Sequence, residues 1–312
     1  MNIGLDMMGG DFSPLEAVKG VQLYLREAGT ATLWLIGDER QVGSLLQEHG
    51  IAAGSVRVVH AAQVIDMHEH PTKALKEKPQ SSIGIGFGLL ASGKMDAFIS
   101  AGNTGAMLVG ALYSLKPIEG IHRPTISTVL PKENGRTGVL LDVGLNADCK
   151  AENLNQFAIL GSLYARHILG IAEPRVGLLN IGEEEGKGNL LSQAAYPLLG
   201  ANPQIRFIGN IEGRDLLLDK ADVMVCEGFT GNIILKLAES LFDISRRHKI
   251  DSEFFDRFDF EYYGGTPLLG VTKPVIIGHG ISHAKSFLNM LRLAQKMLET
   301  DLLGKMKESF LS

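Results

Sequence analysis

Short apolar runs recur along the chain, most of them followed by a longer segment of helical period. This alternation restricts the fold more than any other feature. The runs predicted as strands are 2–6, 32–36, 55–59, 96–100, 125–130, 137–142, 175–180, 205–209, 222–226 and 274–277. Helices are predicted to begin near Pro14, Glu39, Ser82, Asn103, Lys150, Lys187, Thr230 and Ser282. Continuous apolar strands are buried on both faces, and strands separated by helices pair in parallel. The expected fold is α/β, a mostly parallel sheet covered by helices on both faces. One antiparallel hairpin is expected, joining 125–130 to 137–142 through "PKENGR", with Asn134–Gly135 as its turn signal. No Pro/Ser/Gly-rich linker divides the chain. Residues 1–312 are therefore read as a single two-lobed α/β domain, with a helical and aromatic tip near 240–264.

Composition narrows the class of function. The 312 residues are 45% hydrophobic and 21% charged, the profile of a soluble protein with a sizeable core. A net charge of −5 gives no electrostatic case for a nucleic-acid partner. The two cysteines, Cys149 and Cys226, do not make a disulfide framework and fit a reducing compartment. Met1 runs straight into "NIGLDMMGGD", so no signal peptide is expected. No apolar run approaches the ~18 residues of a spanning helix. The expected location is cytoplasmic, with any membrane contact at the surface.

The chain carries one short pattern twice. "DAFISAGNTGAML" (96–108) and "DVMVCEGFTGNII" (222–234) align without a gap, matching at Asp96/Asp222, Gly102/Gly228, Thr104/Thr230 and Gly105/Gly231. Each G-x-T-G lies between a predicted strand and a predicted helix. A helix start leaves backbone N–H groups unpaired and carries partial positive charge, which suits an anion such as phosphate. Glycines admit a bound group close to the backbone, and threonine can cap the helix or bond the ligand. The bland alternative is a favourable strand-to-helix turn. An amide accompanies each copy, Asn103 inside the first and Asn232 just after the second. Asn103 and Asn232 are expected on opposite sides of one cleft, because ligands of open parallel sheets bind at the strands' carboxyl ends.

Other segments carry candidate chemistry. In "NIGEEEGKGNL", Lys187 stands between two glycines at a predicted helix start, a place from which it can reach a phosphate as a point charge. Glu183, Glu184 and Glu185 beside it read as helix-start or solvated acids. Asp142, Asn146 and Asp148 have the oxygen chemistry for Mg²⁺ but equally cap a turn, and the reading favours no metal. His68 and His70 make a weak zinc pair. Cys226, at a strand end, reads as a buried thiol rather than a nucleophile. His279 and His283 in "GHGISHAKS" flank a further glycine-rich helix start, where a ligand contact and a structural role are equally open.

"GLDMMGGDFSP", "AGNTGA", "LLDVGLNADCK", "GLLNIGEEEGKGN", "ADVMVCEGFTGN" and "GHGISHAK" follow one another over nearly the whole chain. Together they resemble the bacterial phosphate acyltransferase family of phospholipid synthesis. The resemblance implies transfer of a fatty acyl group from acyl carrier protein to inorganic phosphate, giving acyl phosphate. It also implies a homodimer, association with the inner face of the cell membrane, and a fold similar to phosphotransacetylases and isocitrate/isopropylmalate dehydrogenases. Phosphate is itself the nucleophile in such a reaction, so no cofactor and no metal is expected. The need is to aim phosphate at a thioester carbon and to stabilise the oxyanion that forms. Lys187 and Asn232 are assigned to catalysis. Gly102, Asn103, Thr104, Gly105, Gly228, Thr230, Gly231 and His279 are assigned to substrate binding.

Within this resemblance the tip is unusual. Phe254, Phe255, Phe258, Phe260, Tyr262 and Tyr263 alternate with acids that an anionic leaflet would repel, so a dimer contact or packing patch competes with membrane contact. Arg246, Arg247 and Lys249 are candidates for docking the acidic carrier protein, against a solvated helix face. Two other functions stay open: a phosphotransacetylase-like acyl-CoA:phosphate transferase, and a non-catalytic acyl-binding protein. A dehydrogenase is disfavoured by the lack of G-x-G-x-x-G after a first strand.

Overall fold

The computed structural model describes residues 1–27, 29–52 and 54–311. The chain forms two compact units, Met1–Lys116 with Phe260–Glu299, and Pro117–Asp259 with Thr300–Ser312. The first unit begins with β1 (Asn2–Asp6), α1 (Leu15–Arg26), β2 (Thr32–Gly37), α2 (Glu39–Glu48), β3 (Val56–His60), α3 (Pro71–Glu77), α4 (Ser82–Ala91), β4 (Ala97–Ser100) and α5 (Thr104–Ser114). The second contains β5 (Thr125–Pro131), β6 (Thr137–Leu141), α6 (Ala151–His167), β7 (Arg175–Leu179), α7 (Leu190–Gly200), β8 (Arg206–Ile211), β9 (Val223–Val225), α8 (Gly228–Arg247) and α9 (Glu253–Asp256). The chain then returns to the first unit for α10 (Phe260–Tyr263), β10 (Gly265–Leu269), β11 (Val275–Gly278) and α11 (Ala284–Glu299). It ends in α12 (Leu302–Leu311), part of the second.

In the first unit the strand order is β3-β2-β1-β4-β11-β10, parallel except that β10 runs antiparallel to β11. In the second it is β5-β6-β9-β7-β8, parallel except for the β5–β6 hairpin. The hairpin turns through Glu133, Asn134 and Gly135, with the Gly135 N–H donating to the Lys132 carbonyl (3.0 Å) and Gly135 at φ 82°. This is a three-residue loop with glycine in the left-handed position rather than the two-residue turn that Asn-Gly most strongly signals. Alternate residues of a strand face opposite sides of the sheet. All residues of β4 (AFIS) and β9 (VMV) are buried, so both faces are covered there. This is the mostly parallel α/β fold that the strand and helix periods imply.

Several boundaries move for local reasons. Asn189 accepts the Ser192 N–H (2.8 Å), so α7 begins at Leu190 and Lys187 lies in the loop before it. Glu227 accepts the Thr230 N–H (3.0 Å), so α8 begins at Gly228, two residues before Thr230. Strand β10 was not expected, because its "GTPLL" begins with glycine and contains Pro267. It pairs with β11 all the same.

A charged network closes the amino-terminal end of the second sheet. Lys132 is fully buried, 3.0 Å from the Asp222 carboxylate, and Arg175 reaches the same carboxylate at 2.8 Å. Burial alone would raise the Asp222 pKa, but the hydrogen bonds from Arg175 and Lys132 outweigh it and hold the carboxyl below the usual range. A depressed carboxyl stabilises the fold above its unfolded pKa, near ~3.9, and the contribution is lost as pH falls through that value and below. Chemical unfolding between pH 3 and pH 7 should therefore show Asp222→Asn costing most at neutral pH and progressively less in acid. A cost independent of pH would exclude this role.

Candidate active site

In the first unit, the loops after β1, β4 and β11 lie at one carboxyl edge of the sheet. Asp6 ends β1 fully buried, and its carboxylate accepts the N–H groups of Met8 (2.9 Å) and Gly9 (3.1 Å) and the Ser100 hydroxyl (2.6 Å). Ser100 Oγ in turn accepts the Gly102 N–H at 2.9 Å. Burial raises the Asp6 pKa, against the hydrogen bonds that lower it. A Cβ on Gly9 would lie 2.6 Å from Gly102 N, so the two loops touch backbone to backbone. Gly280, next to His279, accepts the Asp11 N–H at 2.7 Å and joins the third loop to the first. The His279 ring packs on Phe260, with centroids 4.9 Å apart.

Asn103 caps α5. Its Oδ1 accepts the Ala106 N–H at 2.9 Å. Its Nδ2 donates to the carbonyls of Asp66 (3.0 Å), Met67 (3.2 Å) and Glu69 (3.0 Å). The buried amide is thus engaged in holding segment 66–69 on the helix start. Pro71, just beyond that segment, occupies the side of Gly105. The backbone N–H groups of Thr104 and Gly105, at the start of α5, have no acceptor among the described residues. They are the donors that this loop leaves open.

The second copy is built differently, although the sequences match. Its cap is a carboxylate, and Glu227 accepts both the N–H and the hydroxyl of Thr230. The Gly228 N–H donates to the Asn146 carbonyl (2.8 Å) and the Gly231 N–H to the Glu227 carbonyl (3.1 Å). The N–H groups of these three motif residues are therefore taken, and the negative charge at the helix start is supplied by the protein itself. What remains at the surface is the exposed Asn232 side chain, beside the exposed Phe229, whose N–H alone among the four motif residues has no acceptor among the described residues.

The four motif glycines have packing reasons for being glycine. Gly102 faces Gly9, Gly105 faces Pro71, Gly228 faces the Asn146 backbone and Gly231 faces the Asp142 carbonyl. Lys187 lies in the loop that follows β7, the strand next to β9, so its loop and the start of α8 share one carboxyl edge. Asn180 Nδ2 donates to the Lys187 carbonyl (3.0 Å), Asn210 Nδ2 to the Glu184 carbonyl (2.8 Å), and Gln193 Nε2 to the carbonyls of Gly186 (3.2 Å) and Gly188 (3.1 Å). The loop is held by its backbone. Lys187 is exposed, and no ion pair among the described residues includes it.

The remaining candidates have structural partners. The Asp142 carboxylate accepts the N–H groups of Gly144, Leu145 and Asn146 and the Asn146 amide, the capping arrangement. His68 and His70 are exposed, in and beside the segment that Asn103 holds. Burial pushes the Cys226 thiol well above its ordinary pKa, and burial, with Asp142 nearby, pushes Cys149 up to about 11. Neither has the character of a thiolate nucleophile. Among the described residues, Glu183, Glu212 and Asp215 bring carboxylate oxygens within 4.8 Å of one another, but Lys220 bridges Glu183 (2.5 Å) and Asp215 (2.8 Å). A cavity of about 600 Å³ lined by Arg136, Arg175 and Arg206 lies at the opposite, amino-terminal edge of the second sheet. Its arginines pair with Asp219, Asp222 and Glu173.

Comparison with known proteins agrees with this architecture. A phosphotransacetylase from Streptococcus pyogenes superposes with a TM-score of 0.67 at 22% identity, over 96% of this chain and 94% of its own. One from Staphylococcus aureus gives 0.67 at 18%, over 95% and 94%. These likenesses establish the fold. Sequence relatives go further. The family described as "Fatty acid synthesis protein" matches residues 1–305. The phosphate acyltransferase of Dictyoglomus turgidum is 43% identical over 99% of this chain and 97% of its own length. That of Aquifex aeolicus is 44% identical, over 96% and 94%. Identity at that level along the whole length makes this chain an enzyme of the phosphate acyltransferase family.

Proposed function

We propose that the enzyme transfers a fatty acyl group from acyl carrier protein to inorganic phosphate, with the roles divided between the two G-x-T-G loops. The observation that carries the division is the difference in caps. A neutral amide caps α5 and leaves the Thr104 and Gly105 N–H groups without acceptors among the described residues, which favours a dianion. A carboxylate already caps α8, which disfavours one. Phosphate is therefore held at the first loop, and one of its oxygens attacks the thioester carbon. Asn232 Nδ2 donates to the carbonyl oxygen as it becomes an oxyanion, and Lys187 adds positive charge. Collapse of the tetrahedral intermediate breaks the carbon–sulfur bond and releases the carrier thiol with acyl phosphate.

Incubating the protein with acyl carrier protein thioester and phosphate should yield acyl phosphate. Equal turnover of acyl-CoA would instead support the phosphotransacetylase-like reading, and absence of product would sink both. In steady-state kinetics, Asn232→Ala should depress the turnover number with little change in the phosphate KM, and Asn103→Ala should mainly raise that KM. The reverse pattern would exchange the roles of the two loops.

The same reading includes a homodimer and a peripheral membrane surface. Phe229, Ile233 and Leu237 are 64%, 53% and 63% exposed and follow one another at helical spacing along α8, an apolar side that a second copy would cover. No helix among the described residues is long and apolar enough to cross a membrane. Arg247 and Lys249, beyond the Arg246–Asp256 ion pair (3.2 Å), are the basic groups offered to the acidic carrier protein. Light scattering and liposome flotation test the dimer and the membrane contact; a monomer that stays with the unbound fraction would remove both.

A further inference from the structure

Two buried aspartates stand in equivalent places. Asp6 ends β1, which pairs with β4 ahead of the first loop, and Asp142 follows β6, which pairs with β9 ahead of the second. The Asp142 carboxylate gathers the N–H groups of Gly144 (3.2 Å), Leu145 (3.1 Å) and Asn146 (2.7 Å) and the Asn146 amide (2.7 Å) into one tight turn. Gly144 stands in that turn at φ 132°, a backbone conformation that suits glycine.

The turn meets α8 at two points. The Asn146 carbonyl accepts the Gly228 N–H at 2.8 Å. Gly144 presents bare backbone to Asn232: a Cβ there would lie 3.3 Å from Asn232 Oδ1 and 3.4 Å from its Cβ. An amide on an exposed helix turn otherwise has several rotamers open to it. A donor that must meet an oxyanion acts best when its direction is fixed beforehand.

We propose that Asp142 and Gly144 are positioning residues for acyl transfer, their turn forming the seat that orients the Asn232 amide. The inference rests on the assignment of Asn232 to the thioester carbonyl. It explains why a carboxylate with Mg²⁺-like neighbours in sequence instead has its oxygens filled by N–H donors. Asp142 touches no substrate in this scheme and acts through the turn.

A double-mutant cycle tests it, with acyl phosphate formation and the unfolding midpoint read on every variant. Gly144→Ala should lower turnover by ~10- to 100-fold, the scale of a donor misplaced by about 1 Å, with the phosphate KM nearly unchanged. In the Asn232→Ala background the same substitution should cost less than ~3-fold, because the group it displaces is gone. Equal factors in both backgrounds would overturn the proposal, since loss of general stability acts independently of Asn232. Asn232→Gln gives a second measure that does not depend on the folding of Gly144→Ala. A longer amide would carry its donor past the position the seat sets, so its turnover should fall close to that of Asn232→Ala, and native turnover would overturn the proposal. If Asn232→Ala itself turned over like the native enzyme, the carbonyl assignment would fall, and the seat with it.

Discussion

Lys187→Ala is expected to lower turnover by ~10²–10³-fold, the usual cost of removing one preorganised electrostatic donor. The loop around it should survive, because its anchors are backbone carbonyls held by Asn180, Asn210 and Gln193. The Lys187 side chain is exposed and enters no ion pair among the described residues. Its loss should therefore change stability by no more than ~0.5 kcal/mol. Glu183, close in sequence, is paired with Lys220 and does not compete for the ammonium. The combination to look for is a native unfolding midpoint with turnover reduced at saturating phosphate and thioester. Near-native turnover under those conditions would remove Lys187 from the reaction. Lys187→Arg should recover part of the rate, because charge is kept while the compact ammonium is lost.

The parts of this fold that were legible from sequence are those governed by local rules. β4 and β9 read as strands because burial on both faces makes them continuously apolar, and the hairpin was legible because Gly135 supplies the left-handed conformation its loop needs. The site was legible only as far as residue type. The repeat suggests two equal anion loops, yet changed positions make them unequal: Ala101 stands where the second copy has Glu227, Asn103, the cap of α5, stands where it has Phe229, and the Glu227 carboxylate draws the start of α8 back by two residues. Asn103 reads as a ligand group because the carbonyls it binds, at 66–69, lie more than thirty residues earlier. The same distance in sequence hid Asp6 and Asp142 as partners of the glycine loops. Their contacts to Ser100 and to the 226–231 segment arise only when parallel strands pair.

Gly231→Ala and Gly43→Ala should have opposite effects, although both replace a helical glycine by the best helix former. Gly43 lies inside α2 with open space around its missing side chain. Alanine there removes backbone freedom from the unfolded chain and should stabilise by ~0.5–1 kcal/mol. Gly231 lies in the first turn of α8, where a Cβ would run into the Asp142 carbonyl oxygen and come within 3.1 Å of Cys226 Sγ. Neither side can yield cheaply. The Asp142 N–H is bonded to the Cys226 carbonyl at 3.0 Å, its carboxylate is tied to the 144–146 turn, and the Gly228 N–H is bonded to Asn146. Relief requires moving the helix start away from the turn. Overpacking typically costs ~1–3 kcal/mol when side chains can adjust, and a clash of backbone with Cβ belongs at or above the top of that range. Against a total stability of about 5–15 kcal/mol this is a large fraction. Denaturant titration of the two variants beside the native protein reads both signs. If Gly231→Ala were as stable as the native chain, the close contact between α8 and the Asp142 turn would be wrong, and with it the packing reason for glycine in the second loop.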